Sequence, residues 1–223
     1  MAATACISAE QGIAMPRACL VAWTVEIDLW NRGCTHVAGI DEAGRGALAG
    51  PVVAAAVILP PGLTLQGVDD SKRLTPEDRE ALFQEILRVA TGVGVGYVDA
   101  RVIDWVNIRQ GTLLAMQAAI QDLPCEPDFL LIDGRDRAPA NQAQRTVVRG
   151  DQTVGSIAAA SIVAKVSRDR LMEALDGQFP GYGLAQHKGY GTAAHLRAIQ
   201  QLGPSSIHRV TFRGVAPTAS PYA

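Results

Sequence analysis

Several short motifs are absent from this sequence, and each absence removes a class of chemistry. The chain of 223 residues has four cysteines but no C-x-x-C pair, which argues against a zinc cluster or a disulfide framework and favours reduced cytosolic thiols. No H-E-x-x-H motif and no G-x-S-x-G elbow occur, so neither a paired-histidine metal site nor a serine nucleophile is indicated. The cysteines are Cys6, Cys19, Cys34 and Cys125.

A dinucleotide or phosphate loop is also missing. The stretch GVGVGYV at residues 92–98 has the spacing G-x-G-x-G, and neither a helix start nor a Lys-Ser/Thr pair follows it. We therefore predict a glycine-containing strand at this position. Both dinucleotide binding and P-loop nucleotide binding are disfavoured.

One long segment carries no charge, and it raises the question of a membrane span. Residues 46–68 are uncharged and nominally long enough to cross a bilayer, but Pro51, Pro60 and Pro61 interrupt them. A short buried strand at Val52–Leu59, bounded by turns, explains the segment better. The first residues also lack the basic start and apolar core of a signal peptide, so we expect a cytoplasmic protein without membrane contact.

Charge is distributed unevenly along the chain. Residues 1–133 hold 9 Lys and Arg against 17 Asp and Glu, whereas residues 134–223 hold 11 against 5. An acidic half beside a basic half is consistent with a cation site next to an anionic ligand, and an uneven solvated surface explains the pattern equally well. With 48% hydrophobic and 19% charged residues, the composition is that of a globular domain.

Predicted strands and helices alternate, which indicates an α/β domain with a mixed central sheet flanked by helices. Small residues at 158–160 would let one long helix lie close to that sheet. We expect residues 1–35 to form an N-terminal extension and 216–223 a tail, with the domain between them and no sequence feature that demands oligomers. The predicted strands are Val37–Asp41, Val52–Leu59, Gly92–Val98, Phe129–Asp133 and Thr146–Arg149, and the predicted helices are 76–90, roughly Ala100–Leu123, 153–175 and Thr192–Leu202.

Acidic residues end three of the predicted strands. Asp41 and Glu42 close the first, Asp133 closes another, and Asp151 follows a third. Side chains alternate along a strand, so we expect the chain to turn at Glu42 and let both neighbouring acids face one target. Ligand sites gather at the carboxyl ends of strands, and Mg²⁺ prefers oxygen ligands. A helix cap by Asp151 and an ordinary Asp-Gly turn at Asp133 are the open alternatives.

Five blocks of sequence resemble the type 2 ribonucleases H (ribonuclease HII) over about residues 36–215: VAGIDEAGRGALAGPVVAAAVIL, DDSKRLT, LLIDG, RGDQTVGSIAAASIVAKVSRDRLM and HKGYGTAAHLRAI. The resemblance implies a ribonuclease H-like fold with a C-terminal helical extension. It implies an endonuclease that cuts the RNA strand of RNA–DNA hybrids, and that also cuts 5′ to a single ribonucleotide in duplex DNA, leaving 5′-phosphate and 3′-hydroxyl ends. It further implies Mg²⁺ or Mn²⁺ held by Asp41, Glu42, Asp133 and Asp151, with Asp169 competing for the fourth place.

The same resemblance implies a set of substrate contacts. The loop Gly44, Arg45, Gly46 resembles the family's ribose-reading loop, and Tyr190 resembles the tyrosine that packs on the following sugar. Three lysines are expected to contact the phosphates of the nucleic acid. A glycine-rich turn, a surface tyrosine and solvated lysines are the alternatives. Ala47 stands where the family usually has proline. A catalytically inactive hybrid-binding module is the rival function, which the retained acids disfavour. The lysines are Lys72, Lys165 and Lys188.

Overall fold

The computed structural model describes residues 21–215, so Cys6, Cys19 and the predicted tail lie outside the described residues. Helices and strands alternate along this part of the chain. In order they are α1 (Thr24–Asn31), β1 (Val37–Ala43), β2 (Val52–Ile58), α2 (Pro76–Val89), β3 (Gly92–Val98), α3 (Ala100–Val106), α4 (Ile108–Gln121), β4 (Phe129–Asp133), β5 (Ala143–Val147), α5 (Gly155–Gln178), α6 (Leu184–His187) and α7 (Ala193–Leu202).

The five strands form one mixed sheet in the order β3-β2-β1-β4-β5, which confirms the predicted architecture. β2 pairs antiparallel with both β1 and β3, whereas β4 lies parallel between β1 and β5. Ile40 of β1 is opposite Ile132 of β4. Because parallel strands end at the same edge of a sheet, the acids that follow these two isoleucines lie close together.

Helix α5 covers one face of the sheet at very short range. A Cβ atom on Gly39 of β1 would lie only 2.1 Å from the carbonyl carbon of Ser156. Ala158, Ala159 and Ala160 are completely buried in this contact. The predicted close approach of this small-residue helix to the sheet is therefore confirmed.

Helix α4 covers the other face through the glycines of β3. Cβ atoms on Gly94 and Gly96 would lie 2.2 Å and 2.1 Å from the main-chain oxygens of Ala119 and Ala115. The G-x-G-x-G segment is thus a strand, as predicted, and its glycines serve close packing. Among residues 21–215, no helix combines the length and apolar character that a bilayer crossing needs, and every residue of β2 is buried.

Two predicted elements have different bounds in the structure. The single helix predicted near residues 100–123 is broken at Asn107, which has a φ of +72° and accepts a hydrogen bond from the N–H of Gln110. The strand predicted at Thr146–Arg149 instead begins at Ala143 and ends at Val147, because Arg149 adopts a left-handed φ of +58° that a strand cannot continue through.

Residues 21–31 pack on the domain, although the sequence predicted only an extension there. A Cβ atom on Gly155 would lie 2.4 Å from the ring of Trp23. The buried side chain of Glu26 accepts a hydrogen bond of 2.7 Å from the N–H of Ser156 and so caps the first turn of α5. The boundary of the catalytic domain at residue 36 stays a prediction.

Candidate active site

Strand β1 does not turn at Glu42, so this part of the prediction is wrong. The strand continues to Ala43, which pairs with Val53 of β2. Alternation then directs Asp41 and Glu42 to opposite faces of the sheet. Both acids nevertheless line one cavity, because the pairing of β1 with β4 stops at Ile40 and leaves the edge of β1 open beyond it.

The cavity at this edge has a volume of about 450 Å³. It combines three predicted acids with the glycine-arginine loop and Tyr190. A second cavity of about 540 Å³ shares Asp133, Lys72 and Arg45 with the first and contains Asp151. The four predicted acids therefore surround two adjoining openings. The first cavity is lined by Asp41, Glu42, Ala43, Gly44, Arg45, Gly46, Ser71, Lys72, Asp133, Ser161, Lys165 and Tyr190.

Burial and mutual repulsion disfavour full ionisation of these acids. Burial raises the pKa of Asp41 well above its usual range, and the charges of Glu42 and Asp133 raise it further. Burial also raises the pKa of Glu42. Arg45, whose Nη1 lies 3.3 Å from Glu42 Oε1, acts to lower it. The pKa of Asp151 is raised by burial and by Asp133. A positive charge nearby would therefore stabilise the ionised form of these acids.

The donors at this site are carboxylate oxygens, which suit hard cations such as Mg²⁺ or Mn²⁺ rather than zinc. Within residues 21–215, no three Asp, Glu, His or Cys side chains converge closely enough to hold an ion unaided. Mg²⁺ commonly binds one or two carboxylates, several waters and a substrate phosphate. The acids therefore fit a cation site that the substrate completes.

Asp151 and Asp169, the two candidates for the fourth acid, have different surroundings. Asp151 lies in a short 3₁₀ turn, Gly150–Gln152, whereas the N-cap residue of α5 is Val154, so the capping alternative does not hold. Asp169 forms a 2.7 Å ion pair with Lys165 and does not line either cavity. Asp151 has the carboxylate of Asp133 among its electrostatic neighbours.

Two of the three predicted lysines lie at the cavity. The Nζ atom of Lys72 is 3.7 Å from Asp151 Oδ2, and although burial acts to lower the pKa of Lys72, the surrounding carboxylates raise it overall. Lys165 lines the same cavity while it pairs with Asp169. Both ammonium groups therefore lie where a phosphate near the acids would be bound.

Lys188 lines neither cavity, and its role as a phosphate contact stays a prediction. Its ammonium forms a 2.8 Å ion pair with Glu173 and also donates to the main-chain oxygen of Ala185. The main chain of Lys188 has a left-handed φ of +52° and its oxygen accepts a hydrogen bond from Arg168. The side chain is thus engaged away from the acids.

The predicted ribose-reading loop and Tyr190 face the same cavity. Gly44 has a φ of +85°, and a Cβ atom there would lie 1.8 Å from Nε of Arg168. Gly46 has nothing within 4 Å of a Cβ position, so its main chain is open to an approaching molecule. The Tyr190 ring is 37% exposed, which leaves part of it free to contact a ligand.

Sequence reasoning missed three polar residues that support the acids. Ser161 acts to lower the pKa of Asp41, and its Oγ lies 3.0 Å from Oγ of Ser71. Asp70 is buried, and its Oδ1 accepts the main-chain N–H of Lys72 at 3.0 Å. The acidic DDSK run was a visible signal for Asp70 and Ser71. Ser161 gave none, because it lies in a helical run of small residues and meets Asp41 only in the fold.

Comparisons with known proteins show which family the chain belongs to. The sequence model of the ribonuclease HII family matches residues 38–215. The ribonucleases HII of Geobacter sulfurreducens and Geobacter metallireducens are 58% and 57% identical, over 86% and 89% of this chain and 89% and 93% of theirs. The ribonuclease H2 structure from Pyrococcus horikoshii has a TM-score of 0.67 and 26% identity, covering 80% of this chain and 94% of its own. The Archaeoglobus fulgidus ribonuclease HII, solved with PCNA, has a TM-score of 0.66 and 26% identity over 82% and 98%. The chain therefore belongs to the ribonuclease HII family, a family of nucleases.

Proposed function

We propose that this protein hydrolyses the RNA strand of RNA–DNA hybrids and also incises duplex DNA 5′ to a single embedded ribonucleotide. One observation carries the proposal: a single cavity holds Asp41, Glu42 and Asp133 together with the open main chain of Gly46 and the exposed ring of Tyr190. Family membership supports the hydrolysis, and the arrangement of these residues supports the selectivity.

Asp41, Glu42, Asp133 and Asp151 are the residues that would hold Mg²⁺ or Mn²⁺. When bound, such cations supply the activation of water and the stabilisation of the leaving 3′-oxygen that phosphodiester hydrolysis needs. Asp133 is held in place because its Oδ1 accepts a 2.7 Å hydrogen bond from the N–H of Gly150. Asp41 is held in a similar way, because its Oδ1 accepts a 2.7 Å hydrogen bond from the N–H of Glu42. No histidine between residues 21 and 215 lines the cavity, so none is assigned a proton transfer.

The remaining cavity residues would position the nucleic acid. Lys72 and Lys165 provide positive charge for phosphates next to the acids. The main chain at Gly46 is accessible to a ribose, whose 2′-hydroxyl both donates and accepts hydrogen bonds. The exposed part of the Tyr190 ring provides a flat surface for the sugar of the next nucleotide. These contacts would distinguish a ribonucleotide from a deoxyribonucleotide at the cut.

A cleavage assay tests the proposal against the rival of an inactive hybrid-binding module. A duplex that carries one ribonucleotide is incubated with Mg²⁺ or Mn²⁺, and the cut is mapped. We expect incision 5′ to the ribonucleotide with 3′-hydroxyl and 5′-phosphate ends, and none with Asp41→Asn. Binding without cleavage under either metal would favour the inactive module. Cleavage of long hybrids alone would contradict the selectivity for single ribonucleotides.

A further inference from the structure

Two arginines, Arg168 and Arg209, are completely buried beside the cavity. Within residues 21–215, no carboxylate forms an ion pair with either guanidinium. Arginine is rarely buried without an acidic partner, because the loss of hydration costs several kcal/mol. Surface solubility therefore does not explain these two buried side chains, and another reason for their presence is needed.

Arg168 joins two separate segments of main chain. Its Nε donates to the oxygen of Pro51 at 3.0 Å and its Nη2 to the oxygen of Ala49 at 3.1 Å. Its Nη1 donates to the oxygen of Lys188 at 2.9 Å. The planar fork of one guanidinium thus links the end of the glycine-arginine loop to the segment that precedes Tyr190.

Arg209 binds the first of these segments from the C-terminal part of the chain. Nε and Nη2 both donate to the oxygen of Gly50, at 3.1 and 2.9 Å, and Nη1 donates to the oxygen of Arg45 at 2.9 Å. The N–H of Arg209 also donates to the oxygen of Leu48 at 2.8 Å. All the side-chain hydrogen bonds of the two arginines therefore end on main-chain oxygens of residues 45–51 and 188.

Arg168 also touches both predicted ribose-reading elements directly. The Cα of Gly44 rests against its side chain, since an added Cβ would lie 1.8 Å from Nε. Its Cζ atom lies 5.3 Å from the centre of the Tyr190 ring, in cation–π contact. Arg168 thus contacts both the loop and the tyrosine, and the N–H groups of Leu48 and Ala49 also join the two segments by donating to the oxygen of Gly189 at 2.8 and 3.3 Å.

Stability alone does not account for this pair. Burial lowers the pKa of both guanidiniums, and the charge of Arg168 lowers that of Arg209 further. Both remain charged at neutral pH, because arginine does not lose its proton in proteins and the lowered pKa of Arg209 is still about 9. Two like charges in one buried place are costly, and apolar residues often stabilise such positions at least as well. A requirement for a fixed geometry explains their presence better.

We propose that Arg168 and Arg209 are positioning residues that hold loop 44–51 and segment 188–190 in one relative placement, so that they contact adjacent nucleotides in a single register. The proposal rests on the proposed function. A single embedded ribonucleotide offers one productive phosphate, so recognition depends on this register. A long hybrid offers a ribose at every step, so a displaced loop still finds a substrate position.

The test compares the two substrates in Arg168→Lys and Arg209→Lys, which keep the charge but lose the planar fork. The matched control is Arg170→Lys, two residues along α5, whose side chain pairs with Glu80 and packs over Phe83 away from the cavity. We measure kcat/KM on a duplex with one ribonucleotide and on an RNA–DNA hybrid of the same sequence, together with thermal unfolding. We expect the single-ribonucleotide value to fall at least about tenfold more than the hybrid value, and only in the first two variants.

Equal losses on both substrates, or a ratio that stays at the wild-type value, would overturn the positioning role. If Arg168→Lys does not fold, Arg209→Lys still decides the question, because it bonds only residues 45 and 50 through its side chain. Active-site titration measures the concentration of folded enzyme, so that each rate is calculated per folded molecule. Wild-type protein that cuts neither substrate would overturn the proposed function itself, whereas an active wild type with an unchanged ratio in the variants overturns only this inference.

Discussion

The ammonium nitrogen of Lys72 lies 3.7 Å from Oδ2 of Asp151, at the border between the two cavities that hold the acids. The Lys72 side chain is 76% exposed, so it can leave this carboxylate for a phosphate at little cost. We therefore expect Lys72 to pair with the acids before substrate binds and with the nucleic-acid backbone afterwards.

We expect Lys72→Gln to weaken hybrid binding in a salt-dependent manner. One lost phosphate contact should lower the slope of log affinity against log salt concentration by about 1. Fluorescence anisotropy with labelled hybrid measures this in an Asp41→Asn background, which prevents cleavage. Arg88→Gln, an exposed charge on α2, serves as the control. An unchanged slope would remove Lys72 from the phosphate contacts.

Asp41→Asn should abolish turnover and stabilise the metal-free protein. The pKa of Asp41 is raised in the folded state by burial and by its acidic neighbours, so its ionisation lowers the free energy of unfolding as pH rises above the unfolded value of 3.8. At pH 8 with a chelator, we expect the variant to unfold about 2–8 °C higher, for about 1–2 kcal/mol. Added Mg²⁺ or Mn²⁺ should stabilise the wild type more than the variant. A variant less stable than wild type with the chelator contradicts this.

Gly44→Ala and Gly46→Ala should have different effects: the first should lower stability, and the second should raise KM. A Cβ at Gly44 would overlap Arg168 on a backbone with φ of +85°, so we expect a loss of about 2–4 kcal/mol in unfolding free energy. A Cβ at Gly46 meets nothing within 4 Å, so stability should stay within about 0.5 kcal/mol while KM for ribonucleotide substrates rises. Thermal unfolding and steady-state kinetics separate the two effects, and equal destabilisation would refute the contrast.

Histidines connect Tyr190 to the C-terminal segment through defined tautomers. The N–H of Ser205 donates to Nδ1 of His208, so His208 carries its proton on Nε2 and donates to Nε2 of His195 at 3.1 Å. His195 in turn donates from Nδ1 to the main-chain oxygen of Tyr190 at 3.0 Å. Protonation of either imidazole would place two donors face to face.

This network should make the protein sensitive to acid. Burial lowers the pKa of His208 to about 4 from 6.5, so its contribution to stability is present above pH 6.5 and is lost as pH falls toward 4. We expect a loss of about 2 kcal/mol at pH 5 relative to pH 7.5. Denaturant unfolding across this range should show a shallower pH dependence for His208→Asn than for His36→Asn, which lies outside the network. Equal slopes would show that His208 does not titrate as described.

The sequence carried enough information for the sheet and for most of the acidic cluster. A buried apolar run that ends in an acid, as in Phe129–Asp133, specifies both a strand and the edge at which its acid lies. The break at Asn107 was not predictable, because the apolar periodicity continues across it and only the backbone angle interrupts the helix. The continuation of β1 through Glu42 depends on pairing with β2, which local sequence does not encode.

Arg168 and Arg209 show a second limit. In a sequence, an arginine predicts a solvated side chain or an ion pair, and both of these bind main-chain oxygens instead. Every residue has a main-chain oxygen, so the sequence does not show which of these oxygens will accept the hydrogen bonds. The ion pair between Lys188 and Glu173 could not be predicted either, because the two residues meet only in the fold.

The glycines of β3 limit how this protein can be made more heat-resistant. Replacing glycine by alanine is a common way to reduce the freedom of the unfolded chain, but at Gly94 and Gly96 the new methyl group would push α4 off the sheet. Gly177 is the contrasting position, since it lies exposed in α5 with open space around its Cβ position. There Gly177→Ala should add about 1 kcal/mol of stability. Engineering for high temperature should therefore begin on the outside of α5 and leave the strand unchanged.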